Sequence, residues 1–519
     1  MTSSNNKKCS VLVVGAGPAG LVLAIDLARR GVAIRIVEKN KGPSTASRAK
    51  GIQPRTLEIF HNFGIIEPVL MRGGQFPRWR SYVGTTLKWE RSLFDMIGKK
   101  PEVRIDTPYP ETFMIPQSQT EEILRMCLNG FGVSVENNTE FIGCTQNTDG
   151  VVANLITQTG KKSVLCQYLV GADGGHSAVR KALAIPFVGT TDDNERYVIA
   201  DVQASALDHI YWHNWSVENE PARRISMCPM PHTNYFQFVA PILPGEPEPD
   251  LTLETLQNLF NNRSGRHDIV LSDLTWISLQ HTNLRLASRF RDNRIFLAGD
   301  AAHLPPQAGG QGMNISIQDS INLSWKLAAV LSGAPSKLLD SYESERRPMS
   351  AALLDVLSAE LQATGTCSAN DAELRQQEIK DDTFHLKINY RHSPIVREAR
   401  KNPEQVHAGD RAPDALAVDG AGQSVRLFDF MKGPKSTILT FSQESARLCA
   451  DILGKSVGDF NLHLADKALM GSVAASIHTI YGISIGSSTV LVIRPDGYIG
   501  LAVDRDIKNE FESYLKKLS

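Results

Sequence analysis

Cys9-Ser-Val-Leu-Val-Val-Gly-Ala-Gly-Pro-Ala-Gly20 decides how the first part of this chain folds. Its apolar run to Val14 reads as a buried parallel strand, and Pro18 opens a helix that continues to Arg30. Gly15 permits the tight turn between them, and Gly17 lets a pyrophosphate approach the backbone. Gly20 allows helix and strand to pack closely, and Ala19 and Ala24 continue that small-residue face. The next strand, Ala33-Ile-Arg-Ile-Val-Glu38, ends on an acid where a ribose hydroxyl ligand is expected, with Lys39 beside it. Strand, glycine loop, helix, strand and acid in this order predict an α/β, Rossmann-like dinucleotide site. The bare glycine pattern would also build a tight turn with no ligand.

A second run, Arg294-Ile-Phe-Leu-Ala-Gly-Asp-Ala-Ala-His303 followed by Gly309-Gly-Gln-Gly-Met-Asn314, applies the same logic far downstream. The strand Ile295, Phe296, Leu297 ends on Gly-Asp, so Asp300 can accept hydrogen bonds from hydroxyls of an extended polyol. The loop through Gly310 opens a helix over 312–331. Its first N–H groups, at Gly312, Met313 and Asn314, and its positive dipole end face an electron-rich ligand edge. Gln167-Tyr-Leu-Val-Gly-Ala-Asp-Gly-Gly-His-Ser-Ala-Val-Arg180 reads as strand, glycine turn and helix, with Asp173 at the turn. That segment also fits an ordinary helix capped by Ser177.

Three further segments are Ser47-Arg-Ala-Lys-Gly-Ile-Gln-Pro-Arg-Thr-Leu-Glu-Ile-Phe60, Pro116-Gln-Ser-Gln-Thr-Glu-Glu-Ile-Leu124 and Tyr342-Glu-Ser-Glu-Arg-Arg-Pro348. With them, the chain resembles the class A (single-component) FAD-dependent aromatic hydroxylases, in the phenol and polyketide hydroxylase branch of these flavoprotein monooxygenases. The resemblance covers nearly the whole chain, and the motifs keep their order. It implies a Rossmann-like FAD-binding domain of the para-hydroxybenzoate hydroxylase type, an antiparallel-sheet substrate domain and a C-terminal thioredoxin-like domain. It places Arg48 along the flavin, Gln117 at the ribityl region, and Asp173 behind both FAD and NAD(P)H. Members couple NADPH or NADH oxidation to insertion of one atom of O2 into an activated ring. They do so through a flavin C4a-hydroperoxide that must be kept dry.

Residues 1–75, 112–183 and 285–362 are assigned to a discontinuous FAD-binding domain, and 76–111 with 184–284 to the substrate domain covering it. Tyr211-Trp-His-Asn-Trp215 and Tyr235-Phe-Gln-Phe-Val239 read as antiparallel sheet. Their aromatics Trp212, Tyr235, Phe236 and Phe238 are substrate candidates or plain sheet core. The polar stretch 363–402 is expected to be a helical connector, and 403–519 a thioredoxin-like unit. That unit has no CxxC, which points to packing or dimer formation and not to redox work.

With 55 basic and 56 acidic residues the net charge is −1, giving no electrostatic case for nucleic acid or anionic membranes. No stretch has the length needed to span a bilayer, and Gly15 breaks the apolar run after Lys7-Lys8, so that run is a strand and not a signal segment. Seven scattered cysteines without CxxC spacing indicate reduced thiols and no metal site. A cytoplasmic enzyme, monomeric or homodimeric, is expected. There is no second GxGxxG, and Trp212 and Trp215 are spaced WxxW, unlike the WxWxIP of flavin halogenases.

No histidine or tyrosine stands out as general base, and His303 is mostly structural in the family the chain resembles. Lys50 stands where the phenol hydroxylase branch carries an aspartate that assists deprotonation. A cation there either stabilises a phenolate or faces solvent. Pro305-Pro306 precede Gln307, which changes the loop beside the reacting carbon, so Arg48, Lys50, Pro306 and Gln307 are the candidates near the flavin. Arg55 is either a solvated helix charge or a site residue. The expected activity is hydroxylation of a phenolic or polycyclic aromatic small molecule. Alternatives are epoxidation, Baeyer–Villiger-type insertion, oxidative inactivation of a polyketide-like compound, and a non-catalytic scaffold.

Overall fold

Strand Cys9–Val14 lies between Ile34–Val37 and Gly160–Gly171, parallel to both, and Ile295–Leu297 extends the sheet in parallel beyond Gly160–Gly171. The computed structural model describes residues 9–96, 104–305, 310–366, 384–418, 422–465 and 476–518. Val11, Leu12 and Val13 are wholly buried, as a parallel strand covered on both faces requires. Helices Pro18–Arg29 and Gly312–Leu331 pack against each other. Because Val14 is paired with Gly171 and Gly171 with Leu297, the residues that follow these three strands converge on one sheet edge. Gly15, Asp173 and Asp300 are thereby gathered from three distant stretches of sequence.

A second sheet of eight strands runs His303–Leu304, Ser272–Ala287, Phe187–Gln203, Tyr235–Ile242, Glu220–Pro229, Tyr211–Val217, Arg78–Val83, Thr86–Arg91. Only the pair Tyr211–Val217 with Arg78–Val83 is parallel. Side chains alternate between its faces. One face buries Trp215, Ile225, Met227, Phe236 and Phe238 against helix Leu253–Ser264, with Trp215 edge-on to Phe260 at 5.3 Å. Phe236 and Phe238, named above as substrate candidates, are therefore core. The period of two sends Gln237 between them to the opposite face.

Strands Arg397–Ala399, Ile499–Val503, Val490–Ile493, Ser436–Thr440 and Phe460–Leu464 form the third main sheet in that order. Ser436–Thr440 and Phe460–Leu464 are parallel and flank helix Gln443–Leu453, and an antiparallel hairpin and helix Ile507–Leu518 follow. This is the strand order of a thioredoxin-like unit. The expected helical connector is corrected where it is described. Residues 367–383 lie outside the described residues, but 384–390 run through turn, bend and irregular backbone without a helix, with His385 at φ +57. Phe384 and His385 are both buried, and from Leu386 on, buried Leu386, Ile388 and Tyr390 alternate with exposed Lys387 and Asn389. Arg55 is neither solvated nor at the flavin site: it is buried, pairs with Glu58 at 2.7 Å and donates to the Asp496 carbonyl across the domain seam.

His385 is buried in the same seam, its Nδ1 2.9 Å from the Gln318 side-chain amide. Burial first, and then the Arg346 charge, push its pKa down to about 3. The imidazole is neutral when folded and protonates near its ordinary 6.5 when unfolded, so the unfolded state binds more protons between these values. Stability should fall as pH drops through that window. His385→Gln should flatten this acid limb in denaturant titrations; an unchanged slope would contradict the assignment.

Candidate flavin site

The first glycine loop is shaped by contacts on one side and openness on the other. Gly15 has φ +102, and a Cβ there would lie 2.3 Å from the Ala172 carbonyl oxygen, so only glycine fits. A Cβ on Gly20 would lie 2.0 Å from the Gly15 oxygen. Around Gly17 nothing lies within 4 Å of such a position, and no side chain caps helix Pro18–Arg29 there. That cradle is open to an anion. Arg125 of helix Gln117–Gly130 reaches the Ala16 carbonyl at 3.3 Å while its Nε is buried without a partner. Glu38 accepts from the Ala16 and Asn40 N–H groups, both at 3.0 Å, fixing the loop, and Lys39 beside it is exposed.

The Gly-Asp turn closes the other end of the groove. Gly299 has φ +62, and a Cβ there would sit 3.1 Å from the Ala19 methyl, so the turn lies directly on the first helix. Asp300 is open to the groove and only 3.4 Å from the Ser316 hydroxyl. The protein walls around the carboxyl push its pKa up by desolvation, opposed by His303, Ser316 and Arg48. Asp300→Ala should remove a charge-assisted bond of about 1.5–3 kcal/mol and weaken FAD binding about ten- to a hundredfold. Fluorescence titration of the apoprotein with FAD measures this, and unchanged affinity would refute the placement.

Helix Gly312–Leu331 begins without a side-chain cap, and the buried Gln311 Oε1 has no partner. Asn314 accepts from the Gln53 N–H at 2.8 Å and donates to the Gly51 and Gly310 carbonyls, both at 2.9 Å. Its side chain clamps strand Gly51–Ile52 to the helix start, leaving backbone groups at Gly312, Met313 and Asn314 for a ligand. Gln117 donates to Glu121 at 2.8 Å and faces the Ala49 N–H at 3.4 Å. Asp173 accepts from the Ser177 hydroxyl and the Ala178 and Val179 N–H groups. It holds the start of its helix, and Ser177 caps it as the sequence allowed. Pro306 and Gln307 lie outside the described residues.

Sequence reading missed the link between the two sheets. Asp201 accepts the Ser47 N–H at 2.8 Å and hydroxyl at 2.5 Å, and Gln237 donates to the Ser47 hydroxyl at 2.6 Å and the Arg48 carbonyl at 2.9 Å. These bonds hold Arg48 at φ +27, a conformation that needs external support, with its guanidinium 5.7 Å from the Trp276 ring. Lys50 does not face solvent: it is half-buried, donates to Gln237 Oε1 and lies 4.4 Å from the Trp212 ring centre. The available signal was a lone polar residue inside an apolar run, Asp in Ile-Ala-Asp-Val and Gln in Tyr-Phe-Gln-Phe.

The open Gly17 cradle, the unpartnered Arg125 and Gln311 atoms, and the Asp300 acceptor fit a long dinucleotide bearing a polyol. The profile of the FAD binding domain family matches residues 8–356. A flavin-dependent monooxygenase of Mycobacteroides abscessus is 40% identical over 496 residues, 95% of this chain and 97% of the relative. The chain belongs to this family of flavin-dependent monooxygenases. The 12-dehydrotetracycline 5-monooxygenase/anhydrotetracycline 6-monooxygenase of Streptomyces rimosus is 30% identical to the monooxygenase, covering 94% of each chain. The solved ternary complex of aklavinone-11 hydroxylase with FAD and aklavinone superposes with a TM-score of 0.83 at 26% identity, covering 99% of both chains.

The monooxygenase uses FAD, with reduced nicotinamide and O2 as co-substrates. Bound FAD supplies hydride acceptance and oxygen activation. Gly15, Gly17, Ala19, Gly20 and Glu38 would hold the dinucleotide, Asp300 and Gln117 would meet its polyol, and the start of helix Gly312–Leu331 would favour negative charge. Among the described residues no cluster fits a metal ion, and no helix is long and apolar enough to cross a membrane.

Proposed function

We propose that this monooxygenase hydroxylates a flat, polycyclic phenolic compound held between the flavin site and the eight-stranded sheet. One observation carries the reading. Across that sheet, Trp276, Asp201, Gln237 and Cys228 follow one another in register on the face toward Ser47 and Lys50, and Trp212 and Trp79 continue the row. Ring faces at both ends thus flank a polar centre, the lining expected of a site for an oxygenated aromatic. The tetracycline-type substrates named for the Streptomyces rimosus relative support the same class. Trp212, Trp276 and Tyr235 are the substrate-side residues in this reading, and Arg48 and Lys50 stand near the reacting ring.

The division into FAD-binding, substrate-binding and thioredoxin-like parts belongs to the proposal. The last part begins with the strand Arg397–Ala399, earlier than the sequence suggested. A cytoplasmic enzyme acting as monomer or homodimer completes it. Anaerobic bleaching of bound flavin by NADPH and NADH, with and without a panel of phenols and aromatic polyketides, tests the reading. Acceleration by one compound and a product hydroxyl labelled from oxygen-18 gas are the expected results. Label from water alone would reject it, and oxygen placed within a ring or across a double bond would establish another insertion instead.

A further inference from the structure

We propose that Lys50 is an anion anchor, its ammonium holding the ionised hydroxyl or enol oxygen of a flat, acidic ring system. This rests on the hydroxylase reading and names the substrate class within it. Lys50 immediately precedes strand Gly51–Ile52, which Asn314 clamps to the start of helix Gly312–Leu331. The side chain therefore leaves the FAD-binding layer beside that helix start and crosses to the sheet wall at Gln237 and Trp212. An ammonium has three donors. Among the described residues it has one acceptor, Gln237 Oε1, and no carboxylate within ion-pair distance.

Among the described residues no carboxylate touches the ammonium, and Asp201 attracts it only from beyond ion-pair distance. Both oxygens of Asp201 are taken by Ser47. Gln237 cannot turn its amide away, because its Nε2 donates to the Ser47 hydroxyl and the Arg48 carbonyl, leaving Oε1 toward the lysine. Desolvation lowers the pKa of Lys50, with Cys228 and Asp201 opposing, as for a cation short of compensation. Such a group is costly unless something pairs with it. Beside it Trp212 stacks on Trp79 with centroids 5.2 Å apart and planes 24° apart, and Phe76 packs 5.6 Å from Trp212. These surfaces suit a flat ring system whose acidic oxygen reaches the ammonium. The substrate O–H releases its proton to bulk water, and the oxyanion accepts an N–H of Lys50. No electrons are exchanged in this step, and the ionised oxygen enriches the ring toward oxygen insertion.

Alizarin (1,2-dihydroxyanthraquinone) is a suitable probe, because its red anion absorbs beyond the flavin and its neutral form is yellow. Titrated into the FAD-loaded enzyme below the pH at which the free dye ionises, it should bind as the red anion and release about one proton per site. In Lys50→Met with normal flavin content, binding should weaken at least about tenfold and the bound dye should stay yellow. Lys50→Arg should keep the red form. A neutral dye on the unaltered enzyme, or an undiminished red shift in Lys50→Met, overturns the proposal. Failure of alizarin to bind while its dimethyl ether accelerates flavin reduction by NADPH overturns the acidic class and leaves the hydroxylase reading standing. If neither dye nor ether binds, the flat-ring class itself falls.

Discussion

Arg494→Ala should lower resistance to denaturant by about 3–5 kcal/mol, the cost of breaking a buried ion pair from one side. Arg494 is wholly buried and grips Glu345 with two N–H bonds of 2.7 and 2.9 Å, joining the C-terminal sheet to the helix that closes the FAD-binding layer. Lys326 and Asn322 of helix Gly312–Leu331 donate to the same carboxylate at 2.8 and 2.6 Å, and Ser393 donates at 2.6 Å. Asp496, paired with Arg494, also accepts from the Trp325 indole at 3.1 Å. Burial alone would raise the pKa of Glu345, but Arg494 and Lys326 outweigh it and hold the carboxyl well below the usual range. The cluster has two charges of each sign, so deleting one cation leaves an uncompensated anion inside. Glu345→Gln with Arg494→Met, which keeps the balance between Lys326 and Asp496, should recover part of the loss in a double-mutant cycle. Equal losses for the single and double variants would show that packing and not charge carries the seam.

That seam also marks where sequence reading stopped. The geometry of the glycine loop, the acid at the end of the second strand and the Gly-Asp turn was legible because a few neighbouring residues set each local shape. Glycine is required where a Cβ would strike the Ala172 carbonyl or the Ala19 methyl. Helix Gly312–Leu331 appears with its expected bounds because the loop before it and the apolar run within it are both local signals. Arg55, Arg125 and Arg494 were opaque. An arginine on a helix or in a turn reads as a solvated charge until the partner hundreds of residues away is placed. The same holds for the sheet wall: alternation predicts strands, but only the cross-strand register tells which face meets Ser47 and which meets helix Leu253–Ser264. For that reason sequence left Phe236 and Phe238 open between substrate wall and sheet core, and Gln237 was overlooked.

Asp319→Ala should damage both folding and flavin retention, unlike Asp300→Ala. Asp319 is fully buried in helix Gly312–Leu331, two turns below the uncapped start proposed to face the flavin. One oxygen accepts the Gly299 N–H at 3.0 Å and faces His303 Nε2 at 2.6 Å, and the other accepts Arg346 Nε at 2.7 Å. Arg346 in turn donates to the Ile315 carbonyl at 3.1 Å and the Tyr390 hydroxyl at 2.8 Å. Burial opposes ionisation here too, and His303 and Arg346 overcome it, so the carboxylate is charged in the fold. Removing it orphans a buried guanidinium, at a cost of about 3–5 kcal/mol. It also releases the left-handed Gly299 turn that presents Asp300. Among the described residues the Asp300 carboxylate has one hydrogen-bond partner, Ser316 at 3.4 Å, so its removal should leave the unfolding midpoint of the apoprotein nearly unchanged and weaken FAD alone. Apoprotein denaturation and FAD titration, run on both variants, separate the two roles. A loss of FAD affinity without destabilisation in Asp319→Ala would place that carboxylate at the ligand and not beneath it.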